Sequence, residues 1–346
     1  MSVKRRFDLI LSGFLFSAAV LAAQQTTPSR PSSASNIDLA VVVTPRTGAP
    51  VADLQQTDFT ILDNKMPRPI TSFHALSRSS APIHVTLLID AVNVPFESIA
   101  YQRGQIDKFL SANEGQLAYP TQLAFFTDTG VEVQQGFSTE GNELRSSLDH
   151  HDIGLRDIHR ASQFERSDRF DLSMTALRSL IARGAKVPGR KMILWISPGW
   201  PLLSGPGIEL DWKQQKQIFS LIVDLSTQLR ESDTTLYNIN PIGAAEGPGR
   251  SFYYEDFLKG VSKPGQVNIG DLSLQVLSIQ SGGLALYGNN DTTALLQRCI
   301  ADTHAYYQLS FTPAVGAHRD EYHHLEVLVN RPGLTAHTRQ GYYAQP

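Results

Sequence analysis

Residues Ile83 to Val94 read IHVTLLIDAVNV, and this stretch decides the fold. Eight residues of mainly apolar character end in one acid, Asp90; a turn-like AVNV follows, and a helix-compatible segment starts near Pro95. Apolar residues on both faces of so short a run predict a strand covered on both sides, as in a parallel sheet. Open α/β sheets place their ligands beyond the carboxyl ends of such strands, so Asp90 is the first candidate for function.

Outward from this strand the pattern alternates. Apolar spacing predicts a helix over Pro95 to Leu110, a strand over Thr121 to Thr127 with a hairpin partner over Val131 to Phe137, and a short helix over Thr139 to Leu148. Phe170, Met174, Leu177 and Ile181 share one helical face that ends at Gly184. A second doubly buried strand, Lys191 to Ser197, is broken by Pro198-Gly199, and Asp211 with Gln214 is placed to cap a long helix. Thr234 to Ile239 predicts a strand, Phe252 to Val261 and Leu272 to Ile279 helices, Leu284 to Tyr287 a short strand and Asp291 to Asp302 a last helix. This alternation predicts an α/β class with a doubly wound, mostly parallel sheet.

Shorter strands flank that unit. Ile37 to Thr44, Asp58 to Leu62 and Pro69 to His74 precede it; Tyr306 to Thr312, Tyr322 to Asn330 and Thr335 to Tyr343 follow it. Neither set of three buries much alone, so the two are expected to pair into one small antiparallel β domain with the α/β unit inserted. The expected organisation is therefore a signal peptide over 1–23, a tether over 24–36, an N-terminal β unit over 37–80, the α/β domain over 81–303 and C-terminal strands over 304–346.

The signal reading rests on Lys4, Arg5 and Arg6 before the apolar Leu9 to Val20, then the small residues of Leu21-Ala22-Ala23. It implies export, to a periplasm or the medium, with membrane association only through an uncleaved segment. Cleavage removes three basic residues and one acid, taking the formal charge from −3 to −5, which gives no electrostatic reason to expect a nucleic-acid partner. The lone Cys299 forms no internal disulfide, so stability must come from an ordinary core.

Several residues together carry a resemblance. A strand ending in Asp90, a helix starting near Arg169 and a strand ending in Ser197-Pro198-Gly199 resemble the von Willebrand factor type A fold. VADLQQTDFTILDN before them, and YYQLSFTP with YHHLEVLVNRPGLTAHTRQGYY after them, resemble the von Willebrand factor A-related family of secreted acidobacterial proteins, from about Ile37 to Tyr343. The wider fold implies protein binding, often through a divalent cation held by an Asp-x-Ser-x-Ser motif, a later Thr and a later Asp. Here Asp90 keeps the first acid, but Val92 and Val94 occupy both Ser positions, Phe170 and Asp171 lie near the Thr position, and Pro198 stands where the later Asp is expected. A lone carboxylate among apolar neighbours does not dehydrate Mg²⁺ usefully, so no cofactor is expected and Asp90 and Asp171 are weak metal candidates.

The same edge should carry Asn93, Phe96, Trp200, Leu202, Leu203, Asn238 and Asn240, along with Pro201 and Tyr237. Such side chains can form a metal-free contact surface for a protein ligand; alternatively they cover one another and plug a dead site. Asp90 is then a structural remnant hydrogen-bonded to loop amides. Adjacent His323 and His324 point to opposite faces of a strand and suit no single ion, as His150 and His151 also lack ligand spacing. No nucleophile elbow or phosphate loop is present. Asn290-Asp291-Thr292 reads as a helix cap before it reads as a glycosylation sequon. The functional expectation is an exported, non-enzymatic binding or adhesion module; the alternative is a metal-dependent binding protein or hydrolase using Asp90.

Overall fold

The computed structural model describes residues 36–77, 83–151, 163–202, 209–242 and 253–346. The signal segment, nearly all of the tether, and Leu203 lie outside the described residues.

In chain order, β1 (Ile37–Pro45), β2 (Phe59–Asp63), β3 (Met66–Arg68) and β4 (Ile70–Ser77) come first. The α/β unit follows with β5 (Ile83–Asp90), α1 (Phe96–Ser111), β6 (Gln116–Thr127), β7 (Gly130–Val133), β8 (Ser138–Glu140), α2 (Gly141–His150) and α3 (Gln163–Gly184). It continues with β9 (Arg190–Ile196), α4 (Trp212–Glu231), β10 (Thr234–Ile239), α5 (Leu274–Gln280), β11 (Ala285–Leu286) and α6 (Thr292–Ala301). The chain closes with β12 (Ala305–Phe311), β13 (Glu321–Val329), β14 (Leu334–His337) and β15 (Gly341–Ala344).

The central sheet has the order β11-β10-β9-β5-β6-β7. All neighbours are parallel except β7 and, off this path, β8, both of which pair antiparallel with β6. Counted within the unit this is 3-2-1-4-5-6 from the β7 side, the doubly wound order, with its reversal point between β5 and β9. Alternation then sorts the side chains. Leu88, Ala124, Ile193, Trp195 and Leu236 pack under α3, α4 and α5, while Leu87, Leu123, Leu194, Tyr237 and Ile239 pack with residues of α1, α2 and α6, the free Cys299 among them. Asp211 caps α4 as its sequence suggests: Oδ1 accepts from the Gln214 amide at 2.8 Å and Gln214 Oε1 accepts in return from the Asp211 amide at 2.8 Å.

Strands from the two chain ends pair into two four-stranded antiparallel sheets, β14-β1-β12-β4 and β15-β13-β2-β3. Leu39, Val41 and Leu309 from the first meet Ile61, Leu325 and Val327 from the second in a shared core, a small sandwich. Asn64 and Lys65, both at positive φ, make the two-residue turn between β2 and β3.

Several expected elements differ. Thr335 to Tyr343 is not one strand: the chain leaves β14 at His337 and enters β15, in the other sheet, at Gly341. Thr338 Oγ1 bonds the Ala40 carbonyl, Arg339 is buried, and the Gln340 amide bonds Gln280, so these three residues turn the corner. Of the helix expected over Phe252 to Val261, the described residues form a 3₁₀ turn at Tyr253–Phe257, and α3 begins at Gln163, six residues before Arg169. β3 has no apolar alternation and went unforeseen; it is held by the turn before it and by pairing with β2.

Candidate functional site

Asp90 ends β5 beside the reversal point of the sheet, and it is fully buried. β5 and β9 pair Leu88 with Trp195, so Asp90, two residues on, shares the face from which the Trp195 indole projects. Asp90 Oδ1 accepts from the amides of Val92 at 2.9 Å and Asn93 at 2.8 Å. Its Oδ2 accepts from Asn93 Nδ2 at 2.9 Å and Trp195 Nε1 at 3.0 Å. Asn93 Nδ2 also donates to Ser173 Oγ at 3.0 Å, and Ser173 Oγ donates to the Arg169 carbonyl at 2.7 Å. The chain from Ala91 to Val94 thus folds into a turn that wraps its own preceding acid, as short Asx turns do.

Four N–H donors converge on the carboxylate, leaving none of its lone-pair directions open. Val92 and Val94, at the Ser positions of the resembled motif, are buried apolar groups. Asp171 is exposed, its carboxyl pushed up by partial burial and by the charge of Asp168, and the residue that α3 presents to the Asp90 network is Ser173. Pro198 contributes a carbonyl that accepts from Gln275 Nε2 at 3.0 Å. These residues do not fit a hydrated divalent cation, which needs open oxygen lone pairs where this pocket points N–H groups. Among the described residues no group of three or more His, Cys, Asp or Glu side chains is placed to hold a metal.

The described side chains of the expected contact surface are buried or half-buried. Trp200 is 4% exposed, stacks edge-on against Trp195 with centroids 5.2 Å apart, and donates from Nε1 to the Leu272 carbonyl at 2.7 Å. Gly199, at φ +101°, allows the reversal that sends Trp200 back onto the sheet. Asn238 is buried and donates from Nδ2 to the Ser197 carbonyl at 2.7 Å; Asn240 is buried with Oδ1 accepting from the Ile242 amide at 3.0 Å. Tyr237 points to the other face of the sheet, and Leu202 is half-buried against the core under α3 and α4. The side chain of Phe96, first residue of α1, lies outside the described set. Of the expected surface, then, Asp90, Asn93, Trp200, Asn238 and Asn240 are interior groups that satisfy one another or nearby backbone. Among the described residues, Trp212 is 57% exposed at the start of α4, the helix that follows the loop after β9, with Lys216 Nζ 5.0 Å from its ring centroid; Tyr101 of α1 is 48% exposed.

Sequence reasoning located Asp90 and Asn93 but not Trp195, which donates to Asp90, or Ser173, which accepts from Asn93. The indole of Trp195 sits in an unbroken apolar run, where only its parity with Leu88 and Asp90 hints at a donor role.

Two further polar clusters are buried. In the sandwich, Asp63 accepts from Tyr342 Oη at 3.0 Å and lies 2.7 Å from His323 Nδ1, while exposed His324 faces away. Where the sandwich meets the α/β layer, Tyr237 Oη donates to Asp302 Oδ2 at 3.2 Å, Arg190 donates to Tyr237 Oη at 3.3 Å, and His337 Nε2 lies 3.2 Å from Asp302. Burial pushes Asp302 up to about 6 and, with the charge of Arg190, pushes His337 down to about 4. Asp291 accepts from the Ala294 amide at 3.0 Å as the cap of α6, and Thr292 beside it is buried.

No protein-family model matches the chain, and no curated protein matches it in sequence. Similar solved structures include an aerotolerance-related membrane protein from Bacteroides fragilis, at 11% identity and TM-score 0.36, over 64% of this chain and 97% of that one. The VWA domain of SpRpn10 is similar at 14% identity and TM-score 0.29, over 64% of this chain and 97% of that one. Manganese-loaded TRAP protein from Plasmodium vivax is similar at 8% identity and TM-score 0.34, over 78% of this chain and 96% of that one. Likenesses at this level say nothing of ligand or role. It is the topology itself, a doubly wound sheet with an antiparallel edge on β6 and an acid at its reversal point, that makes the α/β layer von Willebrand factor A-like.

Proposed function

We propose that the chain is an exported, non-enzymatic protein-binding module that works without a cation at Asp90. The observation that carries this reading is the state of the ligand edge: its one acid is spent on four internal donors while Trp212 is held out to solvent. A carboxylate so engaged is a poor base, nucleophile or metal ligand, because each role needs a lone pair that is already occupied. An exposed tryptophan beside a lysine is a typical centre of a protein contact. Export is supported by the Lys4 to Ala23 pattern, and among the described residues no helix is long and apolar enough to cross a membrane.

The test is capture of a cross-linked protein from the native envelope or medium, with and without EDTA, alongside calorimetry with Mg²⁺, Mn²⁺ and Ca²⁺. Capture should survive EDTA, fall about tenfold or more in Trp212→Ala, as interface tryptophans do, and no cation should bind tightly. Capture abolished by EDTA, or micromolar cation binding lost in Asp90→Asn, overturns the reading.

A further inference from the structure

At the opposite edge of the central sheet from Asp90, a cavity of about 230 Å³ opens between the starting halves of the strands, the end of α3 and the chain after β7. Thr86 on β5 lines it, four residues back from Asp90 and so about 13 Å away along the strand. The space equals roughly eight waters at about 30 Å³ each, enough for a molecule of amino-acid to acylated amino-acid size.

The lining has a definite chemistry. Leu180, Val187, Ile193 and Phe137 make it apolar, and Arg183 and Lys191 supply two cations with no carboxylate among the lining residues. That imbalance is local, since the chain carries 33 acidic against 30 basic residues. Lys191 is 8% exposed, and its Nζ donates to the carbonyls of Val187, at 2.9 Å, and Gly189. An ammonium has three donors, so one is left. The nearby acid, Asp233, lines a separate cleft with Asp38 and Arg230. Burial lowers the pKa of Lys191, and burial together with the charge of Lys191 lowers that of His84, whose ring packs edge-on to Phe137 with centroids 4.7 Å apart. The charge of Asp233, which lies outside the cavity lining, acts on Lys191 in the opposite sense and raises its pKa. The Gln134 carboxamide also lines the cavity; Nε2 donates to Ser147 Oγ at 3.0 Å, and Oε1 is buried with no partner.

We propose that this cavity binds a small organic carboxylate with an apolar body and an adjacent amide N–H, the chemistry shared by an acylated apolar amino acid and the C-terminal residue of a polypeptide. The carboxylate pairs with Lys191 and Arg183, the apolar body lies against Leu180 and Ile193, and the amide N–H meets the open end of Gln134. This inference is independent of the reading of the Asp90 edge.

The test is calorimetry of the purified full chain with N-acetyl-leucine, its neutral analogue N-acetyl-leucinamide, and a pentapeptide ending in free leucine. N-acetyl-leucine should bind, and the amide should bind about tenfold or more weakly, as loss of a charged hydrogen bond dictates. Arg183→Glu, at an exposed position, should keep the melting temperature and lose binding to a similar degree; Lys191→Met should lose it more. Tighter binding of the pentapeptide identifies a polypeptide end as the source, and binding of the small acid alone identifies a free metabolite. No binding at roughly 10 mM probe, equal affinity for the amide, or unchanged affinity in Arg183→Glu overturns the proposal.

Discussion

Asp90 and Asp302 are both withdrawn from solvent in the same α/β layer, and the fold treats them differently. Asp90 receives two backbone amides, a carboxamide and an indole, all within 3.0 Å. Asp302 receives one phenol at 3.2 Å and sits against His337, and burial pushes it up to about 6. Burial alone therefore does not decide what a carboxylate does in this chain; the supply of donors does. The first acid is a structural keystone for the Ala91 to Val94 turn, whereas the second has few donors and is pushed up to about 6 by burial.

The largest expected effect breaks the keystone. Asp90→Ala strips four hydrogen bonds and leaves the buried Trp195 indole N–H and one N–H of the Asn93 carboxamide without their acceptor, at a cost of about 4 kcal/mol. Urea unfolding at neutral pH measures it. A cost below about 1 kcal/mol would mean that the turn holds without its acid, and the contrast with Asp302 would collapse.

Next comes the cover over Asp90. Trp200→Ala removes a buried indole stacked on Trp195 and orphans the Leu272 carbonyl, so a loss of about 3 to 4 kcal/mol is expected. A contact-surface role for Trp200 requires the opposite, an unchanged melting temperature. The two outcomes separate cleanly by differential scanning calorimetry.

How much of this was legible depends on what hydropathy encodes. The doubly buried strands β5, β9 and β10 were readable because apolar runs on both faces have few other uses, and Asp211 with Gln214 announced α4 through a local capping rule. The break between β14 and β15 was not readable, because no Pro or Asn-Gly turn signal marks the corner, which is made by tertiary hydrogen bonds to Ala40 and Gln280. Asp90 stood out as a candidate since a charge at the end of an apolar strand is conspicuous. Its satisfaction by Trp195, 105 residues on, and the bond from Trp200 to Leu272, 72 residues on, are long-range facts that no local pattern carries. The loop after β9 therefore looked like a surface, though its tryptophan is interior.

The smallest expected effect sharpens the comparison by pH. Asp302 has its folded pKa raised to about 6 from an ordinary value of 3.8, so between those values the native state holds a proton that the unfolded state has lost. Stability must then fall as pH rises through this window, by up to about 3 kcal/mol at 1.36 kcal/mol per unit. His337 acts in the other sense: its pKa is depressed to about 4, so its contribution is lost as pH falls through the range from 6.5 to 4. The two nearly cancel in the native chain, and Arg190, Tyr237 and Arg298 set the field around them. Asp302→Asn removes one side of that balance while keeping the shape and an acceptor for Tyr237. Relative to the native chain it should gain about 2 to 3 kcal/mol between pH 4 and pH 6.5, leaving the His337 dependence exposed as a rise in stability with pH. Unfolding free energies measured across that range in both chains read the difference directly. A difference that stays constant with pH would show that Asp302, like Asp90, has its charge fully supplied with donors, and that the two acids do the same work.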